Sequence, residues 1–228
     1  MEKRSGPGAP EPDPPVTRRR RAVLAGHDGD REGAVLLSAD PDPAVRSAAL
    51  GALLRIGALD DEILLRGLGD PDPVVRRRAC ALVGRSWGAA TPDSVTPDSV
   101  APSAVIVEEV VRAMGDDDAS VVETAAWALG ELGARCGDGG VAELCRVAGT
   151  HRSPVCRESA VAALGAVGAA DTLAVVLAAL DDTANIRRRA AIALAAFDDP
   201  LADEGLRRCL GDRDWQVRQA AEELLREL

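Results

Sequence analysis

The sequence predicts an all-α solenoid, a stack of about six helix pairs, because one phrase recurs along the chain. The phrase is a turn with a helix-capping residue, a β-branched residue usually followed by Arg, and then Ala-x-x-Ala-Leu at helical spacing. Successive anchors of the phrase are 30, 46, 35, 30 and 31 residues apart. A period of this size is that of a solenoid. The six anchors are Val45, Val75, Val121, Cys156, Ile186 and Val217.

Every copy carries a side chain that can cap a helix, three places before its anchor. Such side chains accept a hydrogen bond from the free N–H groups that open a helix. Pro43, Pro73 and Pro154 follow three of them, at the first helical position, where a missing N–H costs nothing. The second helix of each pair is therefore predicted to begin at these positions. The capping residues are Asp42, Asp72, Asp118, Ser153, Thr183 and Asp214.

The apolar residues that follow each anchor form one helical stripe. Counting the anchor as zero, they stand at positions 0, 4, 7, 8 and often 11. Gly57, Gly133 and Gly168 follow the stripe, where a left-handed residue ends a helix. A single pair is too small to bury its own apolar face, so neighbouring pairs must stack. The predicted first helices are 31–37, 59–68, 104–114, 141–147, 171–180 and 201–210.

This order of helix, Asp-rich turn and V-R-x-x-A-x-x-A-L helix resembles the HEAT repeat, in the short form of HEAT-like proteins related to phycobilisome lyases. The resemblance covers about residues 29–228. It implies an α-α superhelix in which the turn Asp of one repeat pairs with the helix Arg of a neighbour. The matching residues are Asp40, Asp70, Asp116, Asp181 and Asp212, with Arg46, Arg76, Arg157, Arg187 and Arg218.

Two copies depart from this pattern. Val122 occupies the Arg position of the third repeat, and His151 occupies the Asp position of the fourth. The ladder of Arg–Asp pairs is therefore predicted to be interrupted around repeats three and four. We expect these repeats to be locally weaker than the others.

Three segments fall outside the repeat. Residues 1–16 are rich in Pro and Gly and are predicted to be disordered. The solenoid domain is predicted over 17–228, opening with a helical cap whose Arg18–Arg21 run is either an anion site or a solvated face. A loop insertion, 88–103, contains T-P-D-S-V twice, and its prolines forbid a helix. This loop is either a recognition element or a tolerated duplication, and we expect it to be dispensable for folding.

Composition narrows the choice of partners. The net charge is −10, with no Tyr and one Phe, which disfavours a polyanion-binding surface and makes nucleic acid an unpromising partner. The five cysteines are scattered without C-x-x-C spacing and are predicted to be reduced thiols of a cytoplasmic protein. No apolar run reaches membrane-spanning length, so no membrane partner is expected. The oligomeric state is left open.

Motifs for catalysis are sparse. His27 and His151 are the only histidines, and neither stands at a metal-ligand spacing. His151 with nearby Cys156 supplies two ligands, which is too few for a zinc site. The sequence contains neither a phosphate-binding Gly-rich motif nor a nucleophile elbow. We expect no catalytic residue, metal or cofactor, although an enzyme built on the same solenoid, DNA-glycosylase-like or bilin-lyase-like, remains the alternative.

A binding surface is the remaining candidate site. In HEAT arrays the second helices line the concave side, and positions 2, 3, 6 and 10 after each anchor project away from the buried stripe. An exposed Trp among small residues is typical of an interface anchor, although Trp127 could instead pack on an adjacent repeat. The sequence predicts a non-catalytic scaffold or adaptor that presents this face to a protein or peptide. The candidate residues are Trp127, Glu123, Glu131, Glu158, Arg77, Arg78, Arg188, Arg189 and Ile192.

Overall fold

The computed structural model describes residues 13–87 and 102–227, and within these ranges all regular structure is helical. The chain divides into two compact units between Leu59 and Asp60. Residues 1–12 of the predicted tail and residues 88–101 of the predicted loop lie outside the described residues. The prediction that one solenoid domain spans 17–228 stays a prediction.

The first unit contains three helices: α1 (Pro15–Asp28), α2 (Arg31–Leu37) and α3 (Pro43–Arg55). Helix α1 begins two residues inside the segment predicted as tail. It packs on both other helices, and Arg18 pairs with Asp40 at 2.7 Å. A Cβ atom on Gly26 would lie 2.8 Å from the Cα of Ala52, so the backbones of α1 and α3 approach closely. Helix α1 therefore packs on α3 as the second helix of one repeat packs on the second helix of the next.

The second unit contains ten α-helices in the part of the chain that the structure describes. The even-numbered helices pack on one another in succession, and so do the odd-numbered helices, which gives two layers. Short 3-10 turns cover 133–136, 170–172 and 179–181. The prediction of an all-α solenoid of stacked helix pairs is confirmed. The helices are α4 (Asp61–Leu68), α5 (Pro73–Trp87), α6 (Ala104–Ala113), α7 (Ala119–Leu132), α8 (Gly137–Thr150), α9 (Pro154–Val167), α10 (Leu173–Ala178), α11 (Ala184–Leu194), α12 (Pro200–Cys209) and α13 (Trp215–Glu227).

The repeated phrase does in the structure what its residue types predict, except at two of the six capping positions. All six anchors are at most 1% exposed. The capping aspartates each accept a backbone N–H bond of 2.8 to 2.9 Å, as predicted. Ser153 and Thr183 stand at the N-cap position of their helices, but their side chains make no capping hydrogen bond. Four of the six predicted caps are therefore formed.

The Arg–Asp ladder is present in the second unit. Arg76 pairs with Asp116 at 2.7 Å, and Arg187 pairs with Asp212 at 2.8 Å. Each guanidinium also donates to a backbone carbonyl of its own turn, so one side chain joins two successive turns. These ion pairs are largely buried, and in each of them two N–H groups of the Arg donate to one carboxylate. This geometry fixes the position of one turn relative to the next, in addition to the attraction between the two charges.

One predicted partner in the ladder is wrong. Arg157 pairs with Asp182 at 2.8 Å, and not with Asp181. In the other turns the Asp carboxylate accepts from the N–H two residues later, whereas Asp182 accepts from the adjacent N–H of Thr183 at 2.7 Å. The turn of the fifth repeat is therefore one residue shorter. Asp181 ends a 3-10 turn, and its side chain is exposed. The shortened turn moves the partner of Arg157 by one position.

The predicted interruption of the ladder is confirmed, and it falls between α7 and α9. Val122 is fully buried where the other repeats carry Arg. His151 takes over the turn function of Asp, because its Nδ1 atom accepts from the N–H of Ser153 at 3.1 Å. A weaker link joins the same two helices, since the thiol of Cys156 donates to the carbonyl of Ala119 at 3.3 Å.

Candidate functional site

The odd-numbered helices of the second unit are the second helices of their repeats, and together they form the second-helix layer. A pocket of about 380 Å³ opens on this layer between α7 and α9. Four small residues make the room for it: Gly130 on α7, with Ala162, Ala163 and Ala166 on α9. Their register positions face the neighbouring helix, so no long side chain fills the space. The charged groups at the pocket come from α7, α9 and α11: Glu123, Glu131, Glu158 and Arg189.

Trp127 forms one wall of this pocket. The residue is 39% exposed, an unusual exposure for so large an apolar group. A Cβ atom on Gly84 of α5 would lie 2.6 Å from Cζ3 of the indole, so the ring rests directly on the backbone of the preceding second helix. The ring therefore packs on an adjacent repeat, as one sequence interpretation has it, and also faces an open pocket; its role as an interface anchor stays a prediction.

A glycine nine residues after the anchor was the signal that sequence reasoning missed. Gly84, Gly130 and Gly165 all occupy this position. A Cβ atom on Gly130 would lie 3.0 Å from the Cα of Ala163, and one on Gly165 would lie 2.7 Å from the Cβ of Ala193. At Gly130 and Gly165 the missing side chain lets the backbones of successive second helices approach closely, whereas at Gly84 it makes room for the indole of Trp127. The repeated glycine and the exposed Trp, taken together, would have predicted that the indole of Trp127 packs on Gly84.

The charges around Trp127 are predominantly negative. Glu123 and Glu131 stand four residues before and after it on α7, which places all three on one face of the helix. Neither glutamate makes an ion pair among the described residues. Glu158 lies 3.6 Å from Arg189, with both side chains about one-third exposed. The pocket thus carries three carboxylates against one guanidinium.

Four of the nine predicted site residues lie outside the pocket. Arg77 is exposed on α5, and Arg78 beside it is half-buried, with its pKa lowered by burial and by the nearby charge of Arg85. Arg188 and Ile192 lie on α11, where Ile192 is 40% exposed. The structure therefore gathers the glutamates, Trp127 and Arg189 into one site and leaves the other residues apart. Sequence reasoning missed Val155 of α9 as a lining residue.

The described residues include no group of three or more His, Cys, Asp and Glu side chains placed to hold a metal ion. The five cysteines are free. Burial raises the pKa of the Cys80 thiol to about 12, so this buried sulfur stays protonated at neutral pH. None of the helices in the described ranges combines the length and apolar character needed to cross a bilayer.

Stacked helix pairs joined by turn aspartates and helix arginines define an α-solenoid repeat protein. A family model described as HEAT repeats matches residues 62–165 and 141–226, which together span well over half of the chain. The chain belongs to the HEAT repeat family. No curated protein matches the sequence.

Several solved structures share the fold. An engineered protein is 20% identical over 86% of this chain and 96% of its own, with a TM-score of 0.63. The complex of CpcE and CpcF of phycocyanin lyase from Nostoc sp. PCC7120 is 22% identical over 85% of this chain and 75% of that chain, with a TM-score of 0.55. A designed armadillo repeat protein in complex with the peptide (KR)4 is 15% identical over 92% and 97%, with a TM-score of 0.58. At these identities the likeness shows the fold alone.

Proposed function

We propose that this protein is a non-catalytic scaffold or adaptor of the cytoplasm that binds a protein or peptide partner on its second-helix layer. The observation that carries the proposal is the pocket between α7 and α9, with the half-exposed Trp127 as its wall. Large aromatic side chains that stay partly exposed beside small residues are the usual anchors of protein interfaces.

The support of the indole favours this function over simple surface exposure. One edge of the ring rests on Gly84, so the side chain is held in place before any partner arrives. A held side chain loses little conformational freedom on binding, which raises the affinity that its contacts can supply. The small residues Ala162 and Ala166 leave open the other side, where a partner side chain would insert.

Partner capture by cross-linking mass spectrometry tests the proposal with three variants. Trp127→Ala removes the anchor, and Ala166→Leu fills the pocket from an exposed position of α9. We expect both to lower the affinity for captured partners by about 2 kcal/mol, roughly thirty-fold. Ala196→Leu is the matched control, since Ala196 is exposed at the same register position of the next repeat, outside the pocket. The control should retain its partners.

Stability separates binding from packing. Because part of the indole rests on Gly84, Trp127→Ala should also lower the free energy of unfolding by about 1–2 kcal/mol, less than the 3–5 kcal/mol typical of a fully buried aromatic. Ala166→Leu should hardly change it. If Ala166→Leu keeps every partner that the unmodified protein binds, the pocket is not the binding site. A loss of partners only through unfolding of Trp127→Ala would contradict the proposal in the same way.

A further inference from the structure

We propose that the pocket between α7 and α9 receives a basic side chain, arginine in preference to lysine, presented by the partner polypeptide. This inference rests on the proposed function and names the chemistry of the partner. The indole of Trp127, with Glu123 and Glu131 on either side of it, forms the recognition surface.

The placement of the two glutamates provides the charge complementarity. Four residues of helix rise about 6 Å, so Glu123 and Glu131 lie about one turn before and one turn after Trp127 on the same face. A cation resting on the exposed indole is therefore between two carboxylates that are not already engaged with a cation among the described residues. A neutral or acidic side chain gains nothing from this arrangement.

The aromatic wall distinguishes arginine from lysine. A cation over the face of an indole is attracted by the ring quadrupole. The guanidinium of arginine is planar and weakly hydrated, so it can stack on the ring while its N–H groups donate to the glutamates. The small residues Ala162, Ala163 and Ala166 offer an apolar floor for the methylene stem. Lysine has the stem and the charge but cannot stack.

Arg189 does not reverse this preference. Its guanidinium lies 3.6 Å from Glu158, so one carboxylate and one cation of the pocket largely balance each other. The remaining pair, Glu123 and Glu131, sets the sign of the site. The net charge of −10 acts in the same direction, because it attracts a basic partner and repels phosphate-rich ones.

Labelled peptides measured by fluorescence anisotropy test the proposal with the full-length protein. The probes are a peptide of alternating alanine and arginine and two matched peptides in which lysine or citrulline replaces each arginine. Citrulline keeps the planar shape and removes the charge. We expect the arginine peptide to bind about tenfold more tightly than the citrulline peptide, and also more tightly than the lysine peptide.

Matched charge variants locate the effect. The double variant Glu123→Gln with Glu131→Gln should remove most of the preference for arginine over citrulline. The control is Glu204→Gln with Glu222→Gln, which removes the same net charge from exposed positions of α12 and α13. The control should keep the preference, because general attraction by the net charge changes equally in both double variants.

Three results would overturn the inference. The first is equal binding of the arginine and citrulline peptides, which includes no binding of either. The second is an arginine preference that survives the loss of Glu123 and Glu131, and the third is tighter binding of the lysine peptide than of the arginine peptide. These failures are distinguishable from failure of the proposed function. If Trp127→Ala and Ala166→Leu still release captured partners while the peptides bind equally, the pocket binds proteins by other chemistry. If the variants retain every partner, the proposed function itself fails.

Discussion

The step from α7 to α9 and the step from α9 to α11 join equivalent helices of successive repeats by different means. At the second step Arg157 reaches the next turn and pairs with Asp182 at 2.8 Å. At the first step the equivalent positions hold Val122, which is fully buried, and His151, whose imidazole serves its own turn. Both positions of one ladder link therefore depart from the repeat pattern, and the helices remain stacked.

This difference shows that a polar link and an apolar contact can serve the same step. Hydrogen bonds to charged groups contribute about 1.5–3 kcal/mol net, and burial of a valine side chain contributes about as much. Replacement of a buried ion pair by apolar groups is often neutral for stability. The backbones of α7 and α9 also approach closely, at Gly130 and Ala163. The candidate pocket also opens there, between the two helices that lack the ladder link.

The largest expected effect is the loss of a ladder arginine. Arg187 is only 6% exposed and pairs with Asp212, so Arg187→Met leaves a largely buried carboxylate without its partner. We expect the free energy of unfolding, measured with urea, to fall by about 2–3 kcal/mol. Arg188→Met, at the half-buried neighbouring position outside the ladder, is the control and should cost under about 0.5 kcal/mol. Equal effects of the two variants would show that the ladder contributes little.

A double-mutant cycle can install the missing link. Val122→Arg alone should cost about 2 kcal/mol, because the new guanidinium replaces a buried side chain and meets the imidazole of His151. His151→Asp alone should change little. Together we expect a favourable coupling of about 1 kcal/mol in urea unfolding. Additive effects would mean that the turn of the fourth repeat is too far from α7 for the pair to form.

Acid should weaken the steps that contain ladder pairs. Arg187 holds the pKa of Asp212 at about 2, below its ordinary value, chiefly by its hydrogen bond, with help from the N–H of Asp214. Because the pKa of Asp212 is lower in the folded than in the unfolded protein, the ionised carboxylate stabilises the fold at pH values above its unfolded pKa near 4. This stabilisation is lost as the pH falls towards 2. Between pH 5 and 2.5 the unmodified protein should lose about 1 kcal/mol more than Asp212→Asn. Identical losses would contradict the pairing.

The smallest expected effect is a difference in opening free energy, measured by native-state hydrogen exchange, between the helices of 105–165 and those of 171–225. The sequence alone predicts easier opening of helices near 105–165 than of those near 171–225. The buried Val122 and the close approach at Gly130 lead us to expect opening free energies that differ by less than about 1 kcal/mol. A larger difference, with the first region opening more easily, would show that apolar packing does not replace the ladder pair.

Local signals in the sequence determined the repeat. Anchors, caps and the helical stripe depend on residues a few positions apart, and helix geometry converts such spacing directly into a buried face. The break at Val122 and His151 was predictable for the same reason, since each departs from an aligned position. The exposure of Trp127 followed from its position six residues after the anchor Val121.

The tertiary structure decided what lies between helices. Asp182 rather than Asp181 meets Arg157 because one turn is shorter, and turn length is fixed by backbone geometry that the repeat pattern does not specify. The packing of the Trp127 indole on Gly84 is a contact between two different repeats. The pocket exists because the small residues of α9 stand opposite that indole. A sequence read position by position fixes the faces of helices, whereas the space between two faces depends on how closely their backbones pack.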